Sequence, residues 1–303
     1  MTLSHLKQAP RSSRVLLLAL ATCLGLAAQG VSCSVSGEPR ARLAVMDPGH
    51  VEILTALGAA EDLVLIPQDP AIDNALAEVV RYQRLPSMEG LLAANTTLIV
   101  GGNPGRDLPV LEQAKRLGID SVMVSRELPA IDRVRQLAEL TDHEAAGERL
   151  IAHTEARYAK AAQVVATQSS RLQVLHLSSS GAGTSGAITA AGRSTAVHGL
   201  IERAGGVNVG AEAGLERYQT LTAEGVITMA PQAVLVSRLE LPALGGPEGI
   251  WTHVPGLANT PAGRNKRLIV LPHAAVKFDA VKSGEATLAL ASALADPETG
   301  AAP

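Results

Sequence analysis

The sequence predicts an α/β protein made of two similar lobes that are joined by a long helix. From Arg42 onward, short apolar strands alternate with helical segments, a pattern typical of layered α/β folds with largely parallel strands. Two stretches that start near Tyr82 and Tyr218 resemble each other: each runs through Ser or Thr and Glu-Gly into a short helix and an apolar strand. Such an internal repeat indicates two related lobes. A stretch from about 130 to 168, without proline and with apolar residues at helical spacing, lies between them.

The first thirty-odd residues have the pattern of an export signal. Three basic residues precede an apolar run at 15–28, which is shorter than a membrane span requires. We therefore expect residues 1–33 to be a signal peptide and the mature protein to be exported. Cleavage after the small residues 28–30 and lipid attachment at Cys33 are both open. Cys23 and Cys33 are the cysteines of the sequence, so no disulfide is expected in the mature domain.

Composition limits the class of partner. The chain has 303 residues, of which 47% are hydrophobic and 18% charged, so two domains of about 100 to 150 residues fit. Its net charge is −3 and it has no run of Lys or Arg, whereas binding to phosphate backbones needs a basic face. Nucleic acid is therefore not expected as a partner.

The first lobe is expected at residues 42–141. Its predicted strands and helices, in chain order, are strand 43–46, a turn at 47–50 into helix 51–57, strands 63–66 and 97–100, helix 108–117 and strand 121–124. The helices are predicted to end at Gly58 and Gly118 because glycine is common just beyond a helix.

The connection is expected at 142–168. A helix of that length would extend nearly 40 Å, which is enough to hold two lobes apart as a stiff strut and to limit their closure. The second lobe is expected at 171–295, with a tail at 296–303. Its predicted elements are strand 172–177, helix 196–204, strands 234–236 and 268–271, and helix 280–294.

Tyr82 and Tyr218 are the main candidates for ligand binding. Aromatic residues make up 2% of the chain, so two that are placed alike are conspicuous. One alternative is that both are half-exposed loop residues. The other is that they line a cleft between the lobes, where a phenolate oxygen would bind a hard cation such as ferric iron. Arg84 would then support the phenolate or bind a ligand carboxylate. Thr220 takes its place in the second lobe, so the first lobe is expected to dominate.

Glu89 and Glu224 follow the tyrosines in the two repeats. A carboxylate near a helix N-terminus is stabilised by the helix dipole, which is a sufficient structural explanation for each. Their duplication also fits a second role, as two docking points for a partner with paired basic pockets.

Other candidates are weaker. His198 and His273 are the candidates for a second axial ligand of the iron, and Arg238 is a candidate residue of the cleft. The run Gly181–Gly186 matches a dinucleotide fingerprint after a strand, so an exported enzyme with a phosphate-bearing substrate is the alternative from another class. The helix opening after it is poor, and the serine and cysteine motifs of hydrolases are absent from the sequence, so we expect no catalytic activity.

The sequence resembles the periplasmic haemin-binding proteins of the HmuT type, the substrate carriers of ABC importers. The first-lobe match is the run 81–90, Arg-Tyr-Gln-Arg-Leu-Pro-Ser-Met-Glu-Gly. Second-lobe matches are at 191–196, 204–208, 244–250 and 255–264. The resemblance implies two Rossmann-like lobes joined by a rigid helix, as in class III periplasmic binding proteins.

The resemblance also implies a function. It makes haem the transported ligand, bound in the interlobe cleft with Tyr82 on the iron and Arg84 beside it. It makes the membrane permease dimer of an ABC transporter the partner, with Glu89 and Glu224 meeting its arginines. We expect a monomer. Carriers of ferric siderophores or cobalamin are the alternatives within the superfamily. Pro86 departs from the family pattern just after the tyrosine.

Overall fold

The first five strands form a parallel sheet. The computed structural model describes residues 41–72, 74–179 and 187–296. The strands are β1 Leu43–Val45, β2 Leu63–Pro67, β3 Val80–Tyr82, β4 Leu98–Gly101 and β5 Asp120–Met123. Within the described residues they pair in the order β3-β2-β1-β4-β5, all parallel. We call the part built on this sheet the first lobe.

A second sheet forms the second lobe. Its strands are β6 Gln173–Ser178, β7 Thr189–Ala191, β8 Val207–Asn208, β9 Tyr218–Thr220, β10 Ala233–Ser237 and β11 Leu268–Leu271. The order in the described part is β11-β10-β6-β7-β9, and β8 pairs with the start of β6. β7 runs antiparallel to both of its neighbours, which departs from the parallel pattern of the first lobe.

Helices cover these sheets. Those before β6 are α1 Pro48–Leu57, α2 Met88–Ala93, α3 Pro104–Arg116, α4 Ala130–Leu140 and α5 Glu144–Val165. Those after it are α6 Ala196–Arg203, α7 Val209–Glu212, α8 Ala223–Met229, α9 Gly246–His253, α10 Pro261–Asn265, α11 His273–Lys277 and α12 Ser283–Ala295. Short 3-10 helices lie at Ala60–Asp62, Asn74–Leu76, Pro242–Leu244 and Leu257–Asn259. None of the described helices has the length and apolar character needed to cross a membrane.

Helix α1 shows why the first turn after β1 is placed firmly. The Asp47 carboxylate accepts a hydrogen bond from the Gly49 amide at 2.9 Å, and Pro48 occupies the first turn, where its missing N–H costs nothing. Gly58 ends the helix with φ of 96°, a conformation that favours glycine. Asp47 therefore has a fixed position at the carboxyl end of β1.

The predicted α/β class is confirmed, and the element boundaries differ in places. Helix α5 has 22 residues, about 33 Å at 1.5 Å per residue, and occupies the stretch expected to join the lobes. Helix α3 starts at Pro104 rather than 108, because proline is favoured in a first helical turn. The proposed leader at 1–33 and all but the first residue of the proposed tail lie outside the described residues.

The two lobes share a buried junction. The connection between α11 and α12 returns to the first lobe, where Phe278 and Ala280 join the core beneath α1 and α4. Arg133 of α4 is 1% exposed and donates hydrogen bonds to the carbonyls of Leu128 at 3.1 Å, Phe278 at 3.0 Å and Asp279. The Asp279 carboxylate in turn pairs with a guanidinium of α6. Helix α5 is therefore not the sole connection between the lobes in the described chain.

We expect Arg133→Ala to lower the free energy of unfolding by about 3 kcal/mol, because three carbonyls, two of them buried, lose a charged donor. Arg135→Ala is the matched control on the same helix: its ion pair with Asp132 is half exposed, and its loss is expected to cost less than about 0.5 kcal/mol. Urea denaturation measures both. Equal, small effects would contradict the assigned role of the junction.

Candidate functional site

The carboxyl ends of the parallel strands collect the polar side chains of both lobes. In the first lobe, Asp47 follows β1, Tyr82 ends β3 and Arg126 follows β5. In the second lobe, Ser178 ends β6 and Ser237 ends β10. Ligands of open α/β sheets bind in the crevice at this edge. The topology therefore places the candidate site at the carboxyl edges.

Charged side chains of the two lobes approach each other near these edges, and we call the region between them the cleft. Arg126 of the first lobe forms an ion pair with Asp47 at 3.4 Å. Burial raises the pKa of Tyr218 in the second lobe, and the Arg126 guanidinium acts against part of that rise. At the surface, Arg217 of the second lobe lies 3.5 Å from the Glu127 carboxylate of the first. The lobes thus meet through charged side chains on the same side as both tyrosines.

Tyr82 is half-buried and its hydroxyl is hydrogen-bonded. The hydroxyl donates to the carbonyl oxygen of Val45 at 3.0 Å. Burial raises the pKa of Tyr82; the Arg106 guanidinium acts against this rise, and the Asp107 carboxylate adds to it. In the protein without a ligand, Tyr82 is therefore a neutral phenol.

The arginine that the structure places near Tyr82 is Arg106. It donates to the Met46 carbonyl at 3.0 Å and to the Asp107 carboxylate at 2.6 Å, which fixes its guanidinium at the carboxyl end of β1. Arg84 lies in the bend after β3, is exposed, and forms no side-chain hydrogen bond or ion pair within the described residues. Its expected role toward a ligand stays a prediction.

Tyr218 is held by its ring. Lys277 places its ammonium nitrogen 4.5 Å from the ring centroid, and the imidazole of His176 packs against the ring edge at 5.8 Å between centroids. Among the described residues, the Tyr218 hydroxyl has no hydrogen-bond partner, in contrast to that of Tyr82. Burial raises the pKa of Tyr218, and Glu240 raises it further. The ring of Tyr218 is thus oriented by packing, and its hydroxyl oxygen is left available to bind a ligand.

A buried polar network lies beneath Tyr218. The Lys277 ammonium lies 3.2 Å from the carboxylate of Glu240 and donates to the Ser178 hydroxyl at 2.6 Å. The Ser237 hydroxyl donates to the same carboxylate at 2.7 Å and lies 2.9 Å from Nδ1 of His273. Burial lowers the pKa of Lys277, and Glu240 counteracts this effect. Because Glu240 is 4% exposed, this is an ion pair removed from water.

The remaining sequence candidates lie at different positions. His273 begins α11 and belongs to the network. His198 lies on α6, where Nδ1 is 3.4 Å from the Asn208 amide nitrogen. Arg238 follows β10, is exposed and has no side-chain partner within the described part of the chain. The Gly181–Gly186 run lies outside the described residues.

Glu89 and Glu224 occupy equivalent positions on two equivalent helices. Each is exposed and is the second residue of its helix, α2 or α8. The N-cap hydroxyls of Ser87 and Thr222 accept a hydrogen bond from the glycine amide that follows each glutamate, at 3.0 Å and 3.1 Å. The repeat found in the sequence is thus a repeat of helix capping.

The match continues along both helices. The second residue after each glutamate, Leu91 or Val226, is fully buried, whereas the third, Leu92 or Ile227, is 53% or 44% exposed. Residues three apart share a helix face. Each lobe therefore presents a carboxylate with a large aliphatic side chain on the same helix face.

Two cavities of about 260 Å³ lie away from the tyrosines, one between α4 and α5 and the other beside α1. We assign the site to the cleft instead, because the converging charged groups are there.

Comparison with known proteins decides the family. A family model described as periplasmic binding protein matches residues 43–275. The chain belongs to the periplasmic binding protein family.

Solved structures of this family match almost end to end. The periplasmic haem-binding protein RhuT from Roseiflexus sp. RS-1, in its apo form, is 30% identical with a TM-score of 0.72, and the match covers 85% of this chain and 99% of that one. The periplasmic haem-binding protein BhuT, in complex with two haems, is 26% identical with a TM-score of 0.71, covering 84% and 100%. The haem-binding protein HutB of Vibrio cholerae is 25% identical with a TM-score of 0.69, covering 83% and 98%. A search of curated proteins gives no match. The resemblance and the class III fold predicted from the sequence are confirmed.

Three residues of this binding protein's cleft were missed by the sequence analysis. Lys277, His176 and Arg126 lie in different segments, and no local pattern connects them. A usable signal was present at two positions: a polar residue, Ser178 or Ser237, directly after an apolar strand marks the carboxyl edge of a sheet.

We expect all three tyrosines of this binding protein to stay neutral past the usual phenol pKa of about 10, because burial raises the pKa of Tyr82, Tyr218 and Tyr158. Because burial disfavours the charged phenolate, a phenol with a raised folded-state pKa contributes stability only while it is protonated. This stabilisation is fully present below the unfolded-state value and is lost as pH rises through the folded-state values. An ultraviolet titration of tyrosinate in the native protein, compared with the protein in urea, measures the shift. A native tyrosine that ionises at or below pH 10 would contradict it.

Proposed function

We propose that this periplasmic binding protein captures haem in the cleft between its lobes and delivers it to the permease of an ABC transporter. The observation that carries the proposal is the similarity, over nearly their whole length, to haem-binding proteins up to 30% identical. The site is compatible with it, because Tyr82 ends a strand at the carboxyl edge of the first sheet, Arg126 of the first lobe acts on Tyr218 of the second, and a tyrosinate oxygen is an established ligand of haem iron.

Tyr82 and Tyr218 are the proposed iron contacts. Both phenols must lose a proton to bind as tyrosinate, and ferric iron supplies the positive charge that favours this loss. At Tyr82, the hydrogen bond to the Val45 carbonyl would break when the oxygen turns to the iron, and Arg106 would then face the anion. Tyr218 has no such bond to break within the described residues.

The cationic side chains of the cleft are proposed to meet the rest of the ligand. Haem carries two propionate carboxylates, for which arginine is the preferred partner in proteins. Arg84 and Arg238 are exposed and lie just after strands of the first and second lobe, so we propose them for this contact. His198 and His273 stay proposals for a second axial ligand.

The proposal is one of binding without catalysis. The family and the similar structures are binding proteins, and the cleft groups described here would hold and orient a ligand. We further propose export through residues 1–33 and, after cleavage, a lipid anchor at Cys33.

A haemin titration of three matched Tyr→Phe variants tests the site, since each retains its ring and loses one oxygen. We expect Tyr82→Phe and Tyr218→Phe each to weaken haemin binding at least about tenfold and to change the Soret and charge-transfer bands, because an oxygen ligand is lost. Tyr158→Phe is the control: Tyr158 is half-buried on α5 and bonds to Ser283, away from the cleft.

The same titration separates the alternatives. A wild-type protein that ignores haemin but binds a ferric siderophore or cobalamin would replace haem as the ligand. A wild-type spectrum in both cleft variants would show that haem binds elsewhere. Heat on mixing with nucleotides would instead favour the enzyme alternative.

We propose that the permease docks on the exposed ends of α2 and α8. Glu89 and Glu224 present equivalent carboxylates, which suit a partner made of two like subunits with a basic group on each. Leu92 and Ile227 add an exposed aliphatic side chain beside each carboxylate, and exposed apolar groups of this size favour a protein contact. One chain would thus contact both halves of a symmetric permease.

Docking is testable with the haem-loaded protein and its permease in lipid nanodiscs. We expect Glu89→Gln and Glu224→Gln to weaken binding about threefold to tenfold each, and the double variant to weaken it further, with haemin affinity unchanged. The pair Leu92→Ser and Ile227→Ser is expected to act in the same direction. Glu112→Gln, an exposed carboxylate on α3, is the control. Permease binding that is unchanged in the double glutamate variant would exclude this docking surface.

A further inference from the structure

The network beneath Tyr218 is more elaborate than packing requires. An ion pair withdrawn from water loses hydration that its mutual attraction often fails to recover, so apolar residues would stabilise the same space at least as well. Here the pair of Lys277 and Glu240 is retained at the carboxyl edge of β6 and β10, where ligands of such sheets bind. The position indicates a role in the site.

The position of the Lys277 ammonium is fixed by contacts other than the one with the Tyr218 ring. Glu240 and Ser178 hold it at 3.2 Å and 2.6 Å, and its nitrogen is then 4.5 Å from the centre of the Tyr218 ring. A cation over an aromatic face at this distance attracts the ring, and more strongly when water is excluded. The ring of His176 packs edgewise against Tyr218 and restricts its movement further.

The Tyr218 ring is thus constrained at two contacts, while its hydroxyl has no partner within the described residues. Tyr82 differs, because it is held through its oxygen. A ligand atom can therefore approach the oxygen of Tyr218 without displacing an existing bond.

We propose that Lys277 is a positioning residue for Tyr218: held by Glu240 and Ser178, it fixes the phenol ring so that the hydroxyl is presented to the bound iron. The inference rests on the proposed haem function and deepens it. Lys277 acts through the ring of Tyr218 and not as a direct partner of a haem propionate.

The charged surroundings fit this assignment. Besides Glu240, the groups that act on Lys277 are Arg126 and Asp69 of the first lobe, and Lys277 itself acts on His273 and His176. Burial lowers the pKa of His176 to about 3, so this ring is neutral and serves as a packing surface.

The test is a double-mutant cycle read by haemin affinity and by the Soret and charge-transfer bands. We expect Lys277→Met to weaken haemin binding about tenfold and to alter the tyrosinate bands, and Lys277→Arg to restore both to within about threefold. In the Tyr218→Phe background, Lys277→Met is expected to cause no further loss. Haemin dimethyl ester lacks free carboxylates, and its binding affinities for the wild type and for Lys277→Met are expected to differ by the same factor as those of haemin.

Lys266→Met is the matched control, since Lys266 lies 5.1 Å from the Trp251 ring centre, a contact of the same kind in another part of the second lobe. It is expected to bind haemin as the wild type does. The double variant Glu240→Gln/Lys277→Met removes both charges of the ion pair. If haemin affinity is still reduced in this variant, the effect of Lys277→Met does not come from leaving the buried Glu240 carboxylate unpaired.

Four results would overturn the inference. One is wild-type affinity and spectrum in Lys277→Met. The second is an equal loss of haemin affinity in the Tyr218→Phe background, since Lys277 would then not act through Tyr218. The third is a loss that vanishes with the ester, since Lys277 would then bind a propionate. The fourth is full recovery of affinity in the variant without both charges. A wild-type protein that does not bind haemin would overturn the proposed function itself, and that outcome is distinct from all four.

Discussion

The buried guanidinium of Arg133 is the contact on which the arrangement of the two sheets depends. It belongs to a first-lobe helix, and it donates to two carbonyls of the connection between α11 and α12, a segment that comes from the second lobe. Burial lowers the pKa of Arg133, and the nearby Asp47 and Asp279 carboxylates act against this effect. The buried charge is tolerated because of these carboxylates and because two of its nitrogens donate to carbonyl oxygens. The junction thus couples the lobes independently of α5.

This junction determines what the cleft can be. The backbone oxygen of Asp279 accepts a hydrogen bond from Arg133, and its carboxylate contacts Arg203 and Ser283. Three helices and the returning segment therefore meet at this one residue. We expect two lobes tied in this way to keep a nearly constant distance between their sheets. Capture of a flat, rigid ligand would then need side-chain adjustment, such as release of the Tyr82 hydroxyl, more than a wide hinge motion.

The tyrosines show that a duplicated motif need not produce duplicated chemistry. Tyr82 ends its strand and is tied by its oxygen, whereas Tyr218 starts its strand and is tied by its ring. The two strands are also paired differently: β9 joins β6 through the antiparallel β7, whereas β3 joins a wholly parallel sheet. The sequence predicts an asymmetry from Arg84 and Thr220, and the structure adds a second one in the way the rings are held.

Local pattern was sufficient for much of the fold and for naming the two tyrosines as candidates. The long helix, the two glutamate helices and seven strands could be predicted because periodicity acts within a few residues; the strands are β1, β2, β4, β5, β6, β10 and β11. The short strands β3, β8 and β9 were not predicted. The antiparallel β7 and the return of Phe278 to the first lobe could not be predicted, since both depend on tertiary packing.

The same limit applied to the site. The two tyrosines could be found from their repeat, but Lys277, Glu240 and Arg126 become neighbours of Tyr218 through the topology of two sheets. Charged residues scattered over separate segments carry no periodic signal, so a single sequence does not assign them to one place.

The central claim is that the facing sheet edges bind haem through tyrosine oxygens, and a crystal structure of the haemin-loaded protein tests it most directly. The account predicts iron within bonding distance of the oxygen of Tyr82 or Tyr218, the porphyrin between the two edges, and Lys277 still beneath the Tyr218 ring. Haemin bound outside the cleft, or iron held with both phenol oxygens turned away from it, would contradict the account.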